Sequence, residues 1–291
     1  MRGRARAPAA GTVLNALATG HGSAFAIDRY VSATVELDAG EPTVRGAVAD
    51  GPDADTRLIE RCVELVVEEY GDGDGPDGDE FGGTVTTESE IPMASGLKSS
   101  SAAANATVLA TLDALGLVEA VTREDAARLG VRAAREVGVT VTGAFDDASA
   151  SMLGGLTVTD NERDVLLVRD EVGWDVLVYS PPERAFSADA DVDRCRRVAP
   201  MADLVEELAL AGRYAEAMTV NGLAFCAALD RPTDPLLAAM DRAAGASLSG
   251  TGPSYVAVGD REALEAVRED WTELEGTTWL TRTQTDGAQT R

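Results

Sequence analysis

One stretch constrains this chain more than any other: Ile91-Pro92-Met93-Ala94-Ser95-Gly96-Leu97-Lys98-Ser99-Ser100-Ser101-Ala102-Ala103-Ala104-Asn105. It follows a strand-like run, Thr84-Val85-Thr86-Thr87, passes through proline and glycine, and opens into a small-residue pattern that predicts a helix from Ser99 to Leu115. A strand, a glycine loop and a helix start are the outline of an anion site. Gly96 lets the backbone approach a ligand, and the first-turn N–H groups, the helix dipole and the hydroxyls of Ser99, Ser100 and Ser101 all favour phosphate oxygens. The Walker pattern needs a glycine directly before its lysine, and here Leu97 precedes Lys98. The stretch is a phosphate loop of another kind, or else a serine-capped helix packed through alanine and leucine.

Charge bears on the same residues. Fifty acidic against 25 basic side chains give a formal charge of -25, which excludes nucleic acid and anionic membranes as natural partners. In molar salt the Debye length falls from about 10 Å to about 3 Å, so such a carboxylate coat stops repelling itself, and the acidity reads as a halophilic surface rather than as function. Of the 25 basic residues, 24 are arginine and Lys98 is the one lysine. Keeping one ammonium in a chain that otherwise uses guanidinium points to a compact point charge on phosphate.

At 291 residues, 45% of them apolar, the chain has room for two domains. Cys62, Cys195 and Cys226 are scattered, and the one histidine, His21, cannot complete a zinc set, so neither a disulfide framework nor a zinc site is expected. No apolar run nears about 18 residues and no signal peptide is recognisable, so a cytoplasmic protein is expected.

Taken in order, residues 1–37 read as strand, glycine-rich turn and strand, with His21 between glycines in the turn as a loop residue or a substrate contact. Residues 38–55 read as a hairpin or loop, Arg57 to Tyr70 as an amphipathic helix, and the Asp-Gly alternation of 71–79 as a salt-solvated loop without the glutamate of a calcium hand. Thr122-Arg123-Glu124-Asp125 predicts a cap for a helix running to Glu136 or Val137. Asp146 and Asp147 then stand between Gly143 and the pair Gly154-Gly155, which is unusual for a plain connector. Strands are expected at 165–168, 174–179, 255–258 and 276–283, helices at 199–212, 213–228, 234–243 and 260–268, and a glycine-rich loop at Gly245 to Ser254. Strands and helices alternate without a regular βαβ beat, so the fold class is α+β with two domains, 1–157 and 158–291.

Three features coincide in order: the loop at Pro92–Ala102, the Asp146-Asp147 segment, and the late Gly250-Thr251-Gly252-Pro253-Ser254 loop. The trio resembles the GHMP small-molecule kinases over most of the chain. That family's phosphate loop has the form P-x-x-x-G-L-x-S-S-A, which Pro92, Gly96, Leu97, Ser99 and Ser100 fill. The run G-L-K-S-S-S-A, the opening from Gly3 to Asp28 and T-G-A-F-D-D-A from Thr142 to Ala148 are most similar to its archaeal, shikimate-phosphorylating branch.

The resemblance implies a mixed β/α ATP-binding N-terminal domain and a ferredoxin-like C-terminal domain. It implies ATP and Mg²⁺ as cofactors, and an acceptor such as shikimate, phosphorylated in aromatic amino-acid synthesis. It implies nucleotide contacts from Pro92, Met93, Ala94, Ser95, Gly96, Leu97, Lys98, Ser99, Ser100, Ser101 and Ala102, with Gly250, Thr251 and Gly252 supporting the loop. Ser100 and Glu136 are the implied Mg²⁺ ligands and Lys98 a catalytic cation. Glu136 stands eleven residues before Asp147 and Asp147 seven before Gly154, which favours Asp147 as the catalytic carboxylate; counted from Gly143, the register favours Asp146. Asn15, Thr19, His21, Ser23 and Asp28 would line the acceptor pocket. One departure stands out: many relatives carry a lysine in the first motif, and the position near Thr12 has none. Homoserine or another small alcohol as acceptor, and a metabolite-binding protein without catalysis, are the competing readings.

Overall fold

The computed structural model describes residues 1–49, 51–71, 81–91, 95–183 and 190–291. Its first sheet is built on two long strands, β1 (Arg2–Leu14) and β2 (His21–Ala39), paired antiparallel along nearly their whole length. Around them come β3 (Val44–Val48), β4 (Phe81–Ser89), β5 (Leu156–Asp160), β6 (Val165–Asp170) and β11 (Gln289–Thr290). The order is β11-β1-β2-β4-β3, with the β5–β6 hairpin joined to the other end of β2. β3 runs parallel to β4 inside the stretch read as a hairpin or loop.

Four helices belong with this sheet: α1 (Arg57–Tyr70), α2 (Ser99–Leu115), α3 (Arg123–Glu136) and α4 (Phe145–Leu153). α2 is the central one. From Ala102 through Leu112 all but Ala103 are buried, which explains why it lacks an amphipathic stripe. Alanine and glycine let it approach closely: a Cβ on Gly3 would lie 2.0 Å from the Ala110 carbonyl oxygen. α1 shows its expected apolar face through Leu58, Ile59, Cys62, Leu65 and Val66. α3 starts as read, with the Asp125 N–H donating to Thr122 Oγ1 at 3.1 Å.

The second sheet comprises β7 (Asp175–Ser180), β8 (Gly245–Leu248), β9 (Tyr255–Gly259) and β10 (Thr277–Arg282) in the order β10-β7-β9-β8. Its helices are α5 (Val192–Arg196), α6 (Ala199–Leu210), α7 (Tyr214–Leu229), α8 (Asp234–Ala239) and α9 (Arg261–Trp271). The sheet changes between Asp170 and Asp175, so we propose dividing the chain there rather than at 157/158, with β11 returned to the first unit. The two units are stitched together beside the long strands. Phe25 meets Trp174 edge to face at 5.6 Å, the Gln284 N–H donates to the Ala26 carbonyl, and Thr281 Oγ1 donates to the Asp28 carbonyl.

Three local readings change. The Asp146-Asp147 segment is the first turn of α4, because Ala144 in a left-handed turn starts a nine-residue helix that Gly154 ends. Gly245–Leu248 is a strand, its small residues lying under α7, where a Cβ on Gly245 would strike the Ala215 backbone. The 71–79 loop falls outside the described residues from Asp72 onward.

Candidate active site

Two backbone turns shape the phosphate loop. Gly96 has φ 83, and a Cβ there would lie 2.4 Å from the Ser249 carbonyl oxygen and 2.8 Å from that of Gly252, so only glycine lets the two loops meet. They are fastened where they touch: Ser249 Oγ donates to the Gly96 carbonyl at 2.8 Å and the Ser254 N–H to the Ser95 carbonyl at 3.1 Å. Leu97 is buried beneath, and its carbonyl accepts from the Ala10 N–H of β1.

Lys98, the N-cap of α2, is also left-handed, with φ 65. For a residue with a side chain that conformation costs about 1–2 kcal/mol, a strain that here sits beside the phosphate loop. Its Nζ lies 2.8 Å from Asp147 Oδ1, with the two side chains only 9% and 12% exposed. Gly250, at φ 59, stands against the ammonium: a Cβ there would be 3.2 Å from Nζ. The Gly250 N–H donates to Thr12 Oγ1 at 2.8 Å and its carbonyl accepts from Asn15 Nδ2 at 2.8 Å, so the first motif carries the loop that borders Lys98.

The two aspartates have different surroundings. Asp146 is locked: its N–H donates to Asn161 Oδ1, Asn161 Nδ2 donates back to Asp146 Oδ1 at 2.7 Å, and Thr159 Oγ1 holds Asn161 in place. Its carboxylate lies on the β2 backbone, where a Cβ on Gly22 would be 2.6 Å from Oδ2. Asp147 has the ammonium as an ion-pair partner, yet its buried Oδ1 accepts no aligned hydrogen bond. Burial first, and then the neighbouring Asp146 charge, push the Asp147 carboxyl up to about 7, while Lys98 pulls it back down. A buried carboxylate that titrates near neutrality, next to a phosphate loop, is equipped to accept a proton from a bound hydroxyl.

The other expected residues scatter. Ser99, Ser100, Ser101 and Ala102 form the first turn of α2, with Ser100 exposed at its open end, and Thr251 and Gly252 lie buried in the supporting loop. Pro92, Met93 and Ala94 lie outside the described residues. Asn15 joins the site through Gly250. His21 is not in a turn: it begins β2, its Nδ1 lies 2.6 Å from Glu206 of α6, and it faces away from Asp146, because the next residue, Gly22, is the one against that carboxylate. Ser23, on the same side as His21, is fully buried with its hydroxyl unpaired. Thr19 accepts the His21 N–H at 3.4 Å. Asp28 is taken up with Tyr30, whose hydroxyl it helps push up to about 12, second to the effect of burial.

Glu136 is not brought to Ser100 or Asp147. Arg61 of α1 holds its Oε2 at 2.6 Å and Arg132 flanks Oε1 at 3.8 Å, on an exposed face between helices. Its place at the end of α3 fits a helix-end carboxylate as well as a metal ligand, and here both of its oxygens face arginines.

Sequence reasoning missed Asn161 and Asn221. Asn221 of α7 is fully buried, accepts the Asn15 N–H at 2.9 Å and donates to Ser247 Oγ at 2.9 Å. A polar residue on the same helical face as Met218 and Phe225 was the available signal. Asn161 follows Asp160 in an ordinary-looking turn, and nothing there marked it.

Family models agree with this geometry: "GHMP kinases N terminal domain" matches residues 57–155 and "GHMP kinases C terminal" matches 201–275. A shikimate kinase of Halobacterium salinarum is 63% identical over 290 residues, covering 100% of both chains. One of Methanosarcina mazei is 50% identical over 272 residues, covering 93% of this chain and 90% of its own. Among solved structures, the homoserine kinase of Cytophaga hutchinsonii superposes with a TM-score of 0.75 at 16% identity, covering 100% of this chain and 97% of its own. The mevalonate kinase of Methanococcus jannaschii does so at 0.73 and 15%, covering 96% and 98%. At those identities the structures speak to the fold alone.

Proposed function

The chain belongs to the GHMP kinases, and from that membership we propose that it transfers the γ-phosphate of ATP to the 3-hydroxyl of shikimate. The observation that carries the chemistry is the buried Lys98–Asp147 pair at the head of α2. The first turn of α2, with its free N–H groups and the hydroxyls of Ser99 and Ser100, takes the phosphates. Lys98 brings the point charge that offsets the negative charge of the transferring group. The Asp147 carboxylate accepts the acceptor's hydroxyl proton as the oxygen attacks the γ-phosphorus and the bond to the β-phosphate oxygen breaks, releasing ADP. Asp146, fixed by Asn161, is the partner that raises the basicity of Asp147 rather than its substitute.

Mg²⁺ belongs to this reading, but the protein offers it little. Ser100 presents one exposed oxygen at the phosphate end of α2, Glu136 is held by Arg61, and no group of three acidic, histidine or cysteine side chains among the described residues could hold a metal. The ion fits as a guest of the nucleotide with one protein oxygen, and no step above is routed through it. Among the described residues no helix is long and apolar enough to cross a membrane, and the reading places the enzyme in the cytoplasm.

The test is product formation in molar KCl over a panel of hydroxy acids and amino alcohols with ATP. Shikimate should be phosphorylated and homoserine ignored, since a ring acid and an amino acid demand different polar partners. Turnover of homoserine instead would move the chain to another acceptor class, and nucleotide binding without turnover of any acceptor would remove the catalytic role.

A further inference from the structure

The site as described lacks a residue for the acceptor's own charge. Arg231 follows α7, whose C-cap Asp230 turns left-handed with φ 56, and the chain then enters Pro232. The Arg231 side chain runs along the glycine loop: a Cβ on Gly252 would lie 3.3 Å from its Nε and 3.7 Å from its Cδ. The carbonyl of that same Gly252 is what crowds Gly96 of the phosphate loop, and Gly250, two residues earlier, stands against Lys98. The guanidinium therefore flanks the phosphate loop from the side of the second sheet.

Its bonding state sets it apart. Arg231 Nε is inaccessible and donates to nothing, and among the described residues the guanidinium has no carboxylate partner and no acceptor. In a chain with 50 carboxylates against 25 cations, most arginines find an acid, as Arg61 finds Glu64, Glu68 and Glu136. Cys226 and Tyr255 lie beside Arg231, both kept neutral by burial, with the Tyr255 hydroxyl turned to the Pro232 carbonyl, and the adjacent Asp230 makes no ion pair with it. Arg123 also has a buried, unpaired nitrogen, but it heads α3, away from the phosphate loop, with Glu119 near. A planar fork held without a counter-charge beside an anion loop is matched to an oxyanion that arrives with a ligand.

We propose that Arg231 binds an oxyanion of a bound substrate at the edge of the phosphate loop, and so determines specificity in the reaction proposed above, on which this assignment rests. Two sources offer that chemistry, the carboxylate of the acceptor and a phosphate of the nucleotide, and the experiment separates them. Arg231→Met and Arg231→Lys are compared with the parent enzyme in molar KCl. Equilibrium binding of shikimate and of ATP is read by calorimetry, and KM and kcat are read with shikimate and with its neutral amide.

The expected result is a loss of about 10–100-fold in affinity for one ligand in Arg231→Met, with the other within about twofold, kcat little changed and Arg231→Lys in between. If the acceptor is the source, shikimate binding weakens and the parent's preference for the acid over the amide disappears. If phosphate is the source, ATP binding weakens and that preference survives. Unchanged binding of ATP and of every acceptor that the parent phosphorylates overturns the proposal, and so does an equal loss for both ligands that tracks a lowered melting temperature. If Arg231→Met does not fold, Arg231→Lys and Arg231→Gln are read by the same comparison. Should the parent turn over a different acceptor, the function proposed above fails, while the Arg231 assignment is still read with ATP and that acceptor.

Discussion

Lys98→Met isolates the electrostatic part of the mechanism. At 2.8 Å, opposite unit charges attract by about 6 kcal/mol at an effective dielectric constant near 20 and by about 1.5 kcal/mol in bulk water. Each 1.36 kcal/mol is one pH unit, so deleting the ammonium should raise the Asp147 pKa by at least ~1, and by up to ~4 if the site stays dry. The parent carboxyl sits at about 7, where half of it is ionised at neutral pH. The variant is then ionised to less than about one tenth at pH 7, and kcat there falls by at least ~5-fold from this cause alone. The assay is kcat against pH from 6 to 9.5 at saturating ATP. The acid limb should move to higher pH, and the plateau above it then reports what the ammonium does for the phosphate separately. Lys98→Arg, which keeps a charge, should leave the limb near the parent's. An acid limb that stays in place in Lys98→Met, or moves to lower pH, would refute the pairing of these two groups in the working enzyme.

Four further outcomes follow from the same geometry. Asp147→Asn should cut kcat by about 10²–10⁴-fold with little change in the KM for ATP, whereas Asp146→Asn, which disturbs the Asn161 pair, should cost stability as well. Because the folded Asp147 pKa lies above its ordinary 3.8, the native state holds the extra proton and stability falls as pH rises from about 4 to about 7; Asp147→Asn should thus melt higher than the parent at pH 8 and lose that advantage at pH 4. Gly250→Ala puts a methyl 3.2 Å from Lys98 Nζ at a positive φ, so kcat should drop while the far-ultraviolet circular dichroism spectrum is retained; unchanged kcat would show that the loop does not set the ammonium's position. Thermal midpoints from dilute buffer to molar KCl should climb steeply at a net charge of -25, and a flat series would end the halophilic reading.

What was legible depended on whether the signal was local. Helices with an apolar stripe, α1 and α3, were bounded to the residue or nearly so, because side-chain period and caps lie within the segment itself. The phosphate loop was legible for the same reason: its glycine, serines and helix start are contiguous. β5 was hidden because its partner is the start of β2, more than a hundred residues away, and because its Leu-Thr-Val-Thr-Asp run is short and buries its polar residues as well as its apolar ones. The site divided likewise. Asp147 could be reached by counting along the chain. Glu136 passed the same count, yet Arg61 holds it in an ion pair across two helices that no spacing encodes. Asn221 comes from the second unit and meets Asn15 only because α7 closes over the long strands, while Arg231 meets Gly252 through folding within that second unit.

The missing first-motif lysine is the place where sequence and structure have to be reasoned together. Read along the chain, its absence weakens general-base chemistry, since the residue expected to tune the carboxylate is not there. In space, the position near Thr12 has another duty: its hydroxyl accepts the Gly250 N–H and so fixes the glycine whose missing side chain leaves room for an ammonium. That ammonium arrives from the phosphate loop, swung back onto Asp147 by the left-handed turn at Lys98. A lysine at Thr12 would take the acceptor from Gly250. The same geometry suits the one lysine of the chain: a compact point charge stands between Gly250 and a single carboxylate oxygen of Asp147, whereas a delocalised guanidinium suits a flat oxyanion pair. One cation thus stands where it can face both the carboxylate that takes the proton and the phosphate that is transferred, which places charge neutralisation and basicity under the control of a single side chain.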